Sequence, residues 1–207
     1  MAFDWLTRRK ERENKKAAYK DRIPPGQDLT EKWPVLHYGD IPRFDLNKWD
    51  FGISGLVAQP LGWTYAEFMS LPTVRLTSDI HCVTGWSKFD NDWEGVSVKA
   101  LLDQAQPSAD ARFVSVQAEE GYTTNLPLTA LYDDDVLLAF KHNGENLTPE
   151  HGWPLRLVVP KLYFWKSAKW VRGLELLDHD ERGFWERYGY HNHGDPWKEE
   201  RYSWQEG

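Results

Sequence analysis

Apolar positions recur along this chain with two periods. Val74-Arg75-Leu76-Thr77-Ser78-Asp79-Ile80 alternates apolar with polar, the pattern of a half-buried strand. Phe51–Val57, Phe113–Ala118, Val136–Phe140 and Lys169–Leu177 read as further strands, and Leu155–Val159 as a wholly apolar one. Helical signals are fewer. Thr64-Tyr65-Ala66-Glu67 is a capping box, and the helix it opens is predicted to stop at Pro72. A second short helix is predicted from Ser97, carrying Val98, Leu101 and Leu102. Strand exceeds helix, so the expected class is α+β, a mixed, strand-rich fold without internal repeats. From Gly183 the chain reads Gly-Phe-Trp-Glu-Arg-Tyr-Gly-Tyr-His-Asn-His-Gly-Asp-Pro-Trp. That stretch is too aromatic for a loose tail and too broken for a helix. It is expected to fold across the body, over a site.

At 207 residues the chain fits one domain. We place that domain at residues 27–207 and a charged helix or tail at residues 1–26. Net charge is −7, yet residues 1–22 hold eight basic and four acidic groups, leaving 17 basic and 28 acidic for the rest. So acidic a body argues against nucleic-acid binding, which needs basic surface. The lone cysteine, Cys82, allows no intramolecular disulfide and suits a reducing compartment. No apolar run approaches the roughly 20 residues of a membrane span. Arg8-Arg9 is followed by Lys10-Glu11-Arg12-Glu13 rather than an apolar stretch, which argues against an export signal. The expected location is the cytoplasm.

Three clusters could carry chemistry. Cys82 ends a predicted strand and begins the turn Cys-Val-Thr-Gly-Trp-Ser. A thiol there is either a small buried apolar group or, facing a cleft, a soft metal ligand or nucleophile. A cysteine protease would need a paired histidine, and the adjacent His81 should point to the opposite face. The second cluster sets His151, Arg156, Lys166, Ser167 and Lys169 around the strand Leu155–Val159. A planar guanidinium beside ammonium groups in an acidic chain suggests an anion pocket, against scattered surface charge. The third, His191-Asn192-His193-Gly194-Asp195, could bind zinc or iron, or simply cap a loop.

Together these segments resemble the oxidoreductase molybdopterin-binding domain of the sulfite oxidase superfamily, over roughly Trp33 to Tyr202. Cys82 sits where that family places its molybdenum-ligating cysteine. His151-Gly-Trp-Pro-Leu-Arg156-Leu-Val-Val-Pro160 resembles the family signature, and Lys169 follows Arg156 at the family spacing of thirteen residues. The C-terminal Tyr190-His-Asn-His-Gly-Asp-Pro-Trp197 is similar to that of small bacterial sulfite oxidase-like proteins. The resemblance implies a molybdenum–molybdopterin cofactor, bound through sulfur by Cys82. It implies pterin or phosphate contacts from His151, Arg156, Ser167 and Lys169, with His37 and Tyr38 in the N-terminal strip, and an active-site phenol at Tyr190. It further implies oxygen-atom transfer on a small substrate, either S-oxide or N-oxide reduction or sulfite-type oxidation, exchanging electrons with a donor or acceptor that no feature identifies. The alternative is a non-catalytic molybdopterin carrier. One departure stands out: sulfite oxidases keep an arginine close after the metal cysteine, whereas here the turn continues Thr84-Gly85-Trp86-Ser87-Lys88.

Overall fold

The computed structural model describes residues 19–207; the predicted N-terminal helix lies almost wholly outside them. Among the described residues, eleven strands and three short α-helices follow in chain order: β1 (Asp28–Leu29), β2 (Asp50–Gly55), β3 (Leu61–Thr64), α1 (Tyr65–Met69), β4 (Val74–His81), β5 (Trp86–Ser97), α2 (Val98–Ala105), β6 (Phe113–Ala118), β7 (Thr123–Pro127), β8 (Leu137–His142), β9 (Glu145–Asn146), β10 (Arg156–Val158), β11 (Val171–Leu177) and α3 (Phe184–Arg187). The strands form two mixed sheets. One centres on β5, flanked by β4 on one edge and by β1 and β8 on the other, with β9 and β10 paired to β8. The second runs β3-β2-β11-β6-β7, parallel only between β2 and β11. The α+β expectation therefore holds.

Local chemistry explains the elements. Thr64 accepts from Glu67 N while the Glu67 carboxylate accepts from Thr64 N, so both halves of the capping box are made. Ser97 caps α2 in the same way through Ala100 N. The main core lies between the sheets, with Phe51, Val116, Leu138, Leu157 and Leu174 in one cluster with Leu102 of α2. Each such side chain contributes about 1.5–3 kcal/mol by leaving water. The period of two decides what faces away. In β8, Leu138 and Phe140 join this core while Leu137 and Ala139 join a second cluster behind the sheet. In the Leu155–Val159 run, Leu155, Leu157 and Val159 enter the main core. Arg156 and Val158 take the other face, and Arg156 there becomes part of a cavity wall.

Several strand bounds differ from the sequence reading. The run begun at Phe51 ends at Gly55, where φ is +81. The strand expected from Lys169 starts at Val171, because Trp170 takes φ +56. Strand β5 is the longest, yet it is not among the expected strands; its centre, Asp90-Asn91-Asp92, is polar. Asp90 adopts φ +53, and the pairing with β4 shifts register between Ser78 and Ile80. Further along, a Cβ on Gly95 would lie 2.1 Å from Leu138 O, so only glycine lets β5 approach β8 there. The C-terminal segment folds back across the body as expected: Tyr163 N donates to Gly194 O at 2.8 Å, and Lys166 pairs with Glu186.

Candidate active site

A cavity of about 940 Å³ opens between the strap Trp33–Arg43, the Cys82 turn, the segment around β10 and the C-terminal aromatic segment. Cys82, Tyr190, His37, Tyr38, His151, Arg156, Ser167 and Lys169 all line it. The fold thus brings together all eight site residues that the family resemblance implied, from five separate stretches of chain.

Cys82 sits at the end of β4 where the β4–β5 hairpin closes. Its N donates to Trp86 O at 2.8 Å and its carbonyl accepts from Gly85 N at 3.0 Å. The thiol is buried, with Sγ 3.1 Å from Thr84 Oγ1. Burial pushes the thiol up, and the Thr84 hydrogen bonds oppose that shift. Around it pack Val83, Tyr163 and Trp165, with Trp86, Trp185 and Tyr190 against them. Tyr190 stacks on Trp185 at 5.1 Å and meets Trp165 edge-on at 5.0 Å. Its phenol is held up by burial and then by the neighbouring Cys82 charge. His81 points away, as strand geometry requires, with its Nδ1 2.8 Å from Ser87 Oγ. The two neighbours therefore make no catalytic pair.

The other wall is cationic. Arg156 is 2% exposed and donates to His151 O at 2.7 Å and Ser167 O at 2.9 Å, while its Nε is buried without an acceptor. Its guanidinium lies 4.2 Å over the Phe164 ring. Lys169 Nζ donates to the carbonyls of Leu36 and Glu150, each at 2.8 Å. Among the described residues neither cation has an ion-pair partner. Burial, then mutual repulsion, brings Lys169 down to about 7, and burial brings Arg156 to about 9. His151 stacks on Trp33 at 3.9 Å and is also lowered by burial. Ser167 Oγ accepts from Val159 N, and His37 Nδ1 lies 2.9 Å from Gly39 O. Tyr38 is largely exposed at the rim, against Phe184. Gly152, at φ +110, lets the chain turn between the two cations; a Cβ there would meet Arg156 Cβ at 3.0 Å.

One expectation needs correction. Lys166 does not join the anion pocket. It is fully buried and faces the other way, 2.6 Å from Glu186 Oε1 and bonded to the carbonyls of Asn125 and Asn192. Lys88, after the Cys82 turn, likewise turns aside to Asn91 Oδ1 at 2.6 Å. The His191–His193 segment caps a loop: His191 Nδ1 accepts from His193 N and Gly194 N, and His193 bonds Glu200. No cluster of three or more potential metal ligands of the His, Cys, Asp or Glu type occurs among the described residues. Sequence reasoning missed Trp33, Thr84, Tyr122, Trp165 and Trp185 as lining residues, since an aromatic in sequence looks the same whether it faces a core or a cavity. Thr84, two residues past the cysteine on a turn, was the one with a usable positional signal.

Comparison with known proteins places this geometry. Residues 38–185 match the oxidoreductase molybdopterin binding domain. The chain belongs to that family. It is 49% identical to the uncharacterized oxidoreductase YuiH of Bacillus subtilis, over 88% of this chain and 93% of that one. The catalytic subunit MsrP, a protein-methionine-sulfoxide reductase of Gluconobacter oxydans, is 27% identical over 78% of this chain and 64% of its own. The crystal structure of the sulfane dehydrogenase SoxCD from Paracoccus pantotrophus superposes with TM-score 0.63 at 26% identity, covering 70% of this chain and 42% of that one. The protein is therefore a molybdopterin-binding oxidoreductase, in a family whose cofactor is molybdenum–molybdopterin. The residues fit such a group: an orphaned guanidinium Nε and two cations without ion-pair partners among the described residues suit a phosphate, and a buried thiol suits a soft metal. No helix among the described residues is long and apolar enough to cross a membrane.

Proposed function

We propose that this enzyme removes an oxygen atom from a small, uncharged S-oxide or N-oxide. In this reading Cys82 holds the molybdenum through sulfur, and His151, Arg156, Ser167, Lys169, His37 and Tyr38 hold the pterin and its phosphate. The observation that carries it is the division of the cavity into two chemistries. Lys169 and Arg156 form a wall of cations that have no ion-pair partner among the described residues, whereas Cys82 lies among Trp86, Trp165, Trp185 and Tyr190. An anionic substrate such as sulfite would need cations beside the sulfur, and Lys88, which stands nearest the family's arginine position, is turned away. An aromatic wall instead suits a neutral oxo compound with apolar substituents.

When bound, the cofactor supplies two-electron oxygen-atom chemistry. The protein supplies the rest. Trp165, Trp185 and Tyr190 exclude water and orient the substrate beside Cys82. The Tyr190 hydroxyl donates a hydrogen bond to the substrate oxygen as charge develops there. Arg156 and Lys169 would hold the cofactor's phosphate by charge-assisted hydrogen bonds. Electrons come from a separate donor. We place the protein in the cytoplasm, in keeping with a single cysteine that allows no intramolecular disulfide. The methionine-sulfoxide reductase relative lends the S-oxide reading further support.

Cys82→Ser tests the assignment. X-ray absorption at the molybdenum edge should show one sulfur ligand fewer, and reduction of small sulfoxides should be abolished while the fold persists. Unchanged sulfur coordination with normal turnover would refute it.

A further inference from the structure

The family match covers residues 38–185, yet the turn that presents Cys82 is held largely by residues outside it. Three carbonyls of that turn are engaged from elsewhere. Gln27, 1% exposed, donates through Nε2 to Cys82 O at 3.0 Å. Asp28 N donates to Gly85 O at 2.8 Å. The third, Val83 O, accepts from Nη1 of Arg201, near the far end of the chain.

Arg201 is built for this task. Its side chain is only 14% exposed. Nη2 reaches Gly26 O at 3.3 Å and Pro25 O at 3.4 Å, so one planar fork ties the Cys82 turn to the N-terminal strip. The guanidinium rests 5.1 Å from the ring centroid of Tyr163, which packs in the cluster with Cys82. Its own backbone is fixed, Arg201 N donating to Gln205 Oε1 at 2.9 Å and Arg201 O accepting from His191 N at 3.1 Å. Glu199 stands 3.8 Å away and leaves the carbonyl contacts in place. Arg201 is not among the residues that line the cavity.

We propose that Arg201, assisted by Gln27, is a positioning residue for Cys82: it locks the 82–86 turn from behind and so sets the direction from which the sulfur meets the metal. This rests on the reading of Cys82 as the metal ligand. A ligand held by a rigid outer layer keeps its geometry through the catalytic cycle, and loosening such a layer typically costs about 10–100-fold in affinity or activity. A lysine has charge and length but no fork, so it can bond Val83 O or Gly26 O but not hold both.

The test compares holoenzymes carrying Arg201→Met and Arg201→Lys with wild type. Molybdenum content, the electron paramagnetic resonance signal of the partly reduced protein, kcat and KM for a small sulfoxide, and the thermal midpoint are measured. Arg201→Met should keep metal content within about twofold, show a shifted or broadened signal and lose about 10-fold in kcat with KM nearly unchanged. Arg201→Lys should lie between it and wild type. A wild-type signal and kcat in Arg201→Met overturns the proposal. If Arg201→Met does not fold, Arg201→Lys decides: a wild-type signal and kcat there overturns it, and an altered signal supports it. Cys82→Ser separates the two levels. If it keeps all its sulfur coordination, the ligand assignment itself falls; if it loses a sulfur while the Arg201 variants stay normal, only the clamp falls.

Discussion

Tyr190 shows what one hydroxyl is asked to do. Its ring is fixed on two sides, stacked on Trp185 and edge-on to Trp165, and its backbone N donates to Trp185 O at 2.9 Å. Replacing tyrosine by phenylalanine therefore removes the hydroxyl without releasing the ring. Tyr190→Phe should bind the cofactor normally and lose roughly 10-fold in kcat/KM, for a hydrogen bond worth about 1.5 kcal/mol in the transition state. Steady-state kinetics on a molybdenum-replete preparation checks this. Unchanged kcat/KM at full loading would make Tyr190 a wall residue alone. Thr84 differs in kind, since its contact is with the Cys82 sulfur rather than with the aromatic wall.

At the scale of elements, legibility followed the source of each signal. Strand β4 and the turn at Cys82 were readable because alternation and a glycine act locally, and Thr64 and Ser97 announced their helices by caps that need only three following residues. Strand β5 was not, because its polar centre is stabilised by partners distant in sequence: Asn91 bonds Ser78 O and His142 Nε2. Arg156 and Lys169 could be picked out as an anion-binding pair by residue type and spacing. Lys166 was misjudged alongside them, since no local pattern tells which face a loop lysine takes. Its partner, Glu186, opens the C-terminal segment on helix α3, and both side chains are fully buried. Glu186 Oε1 also accepts from Trp165 Nε1 and Thr124 Oγ1, so this pair ties the segment to the cavity wall. Lys166→Met leaves a buried carboxylate without its cation and should cost about 3–5 kcal/mol in chemical denaturation. Lys166→Met combined with Glu186→Leu should recover much of that loss. A single variant within about 1 kcal/mol of wild type would show that the pair is not what holds the segment.

For the whole molecule, the cationic wall makes stability depend on what fills the cavity. Without an anion, Lys169 in the folded chain titrates near 7, against 10.5 when exposed. Between those values the unfolded chain binds more protons than the folded one, so raising the pH through this window favours folding. Arg156, brought down to about 9, acts in the same sense at higher pH. The buried His81 and the half-buried His142, both near 4, give a separate rise as the pH climbs from about 4 to 6.5. Cys82 and Tyr122, both raised by burial, oppose the trend, but only near and above their ordinary values of 9 and 10. Cofactor-free protein should therefore gain thermal stability between about pH 7 and 8.5, and Lys169→Met should flatten that slope. A bound phosphate restores the proton to Lys169 and should flatten it as well in the loaded enzyme. Scanning calorimetry of the apo and loaded forms across this range measures both. An apo slope that survives Lys169→Met would mean that other groups carry the pH dependence. A loaded enzyme as pH-sensitive as the apo protein would mean that Lys169 does not face the cofactor's phosphate.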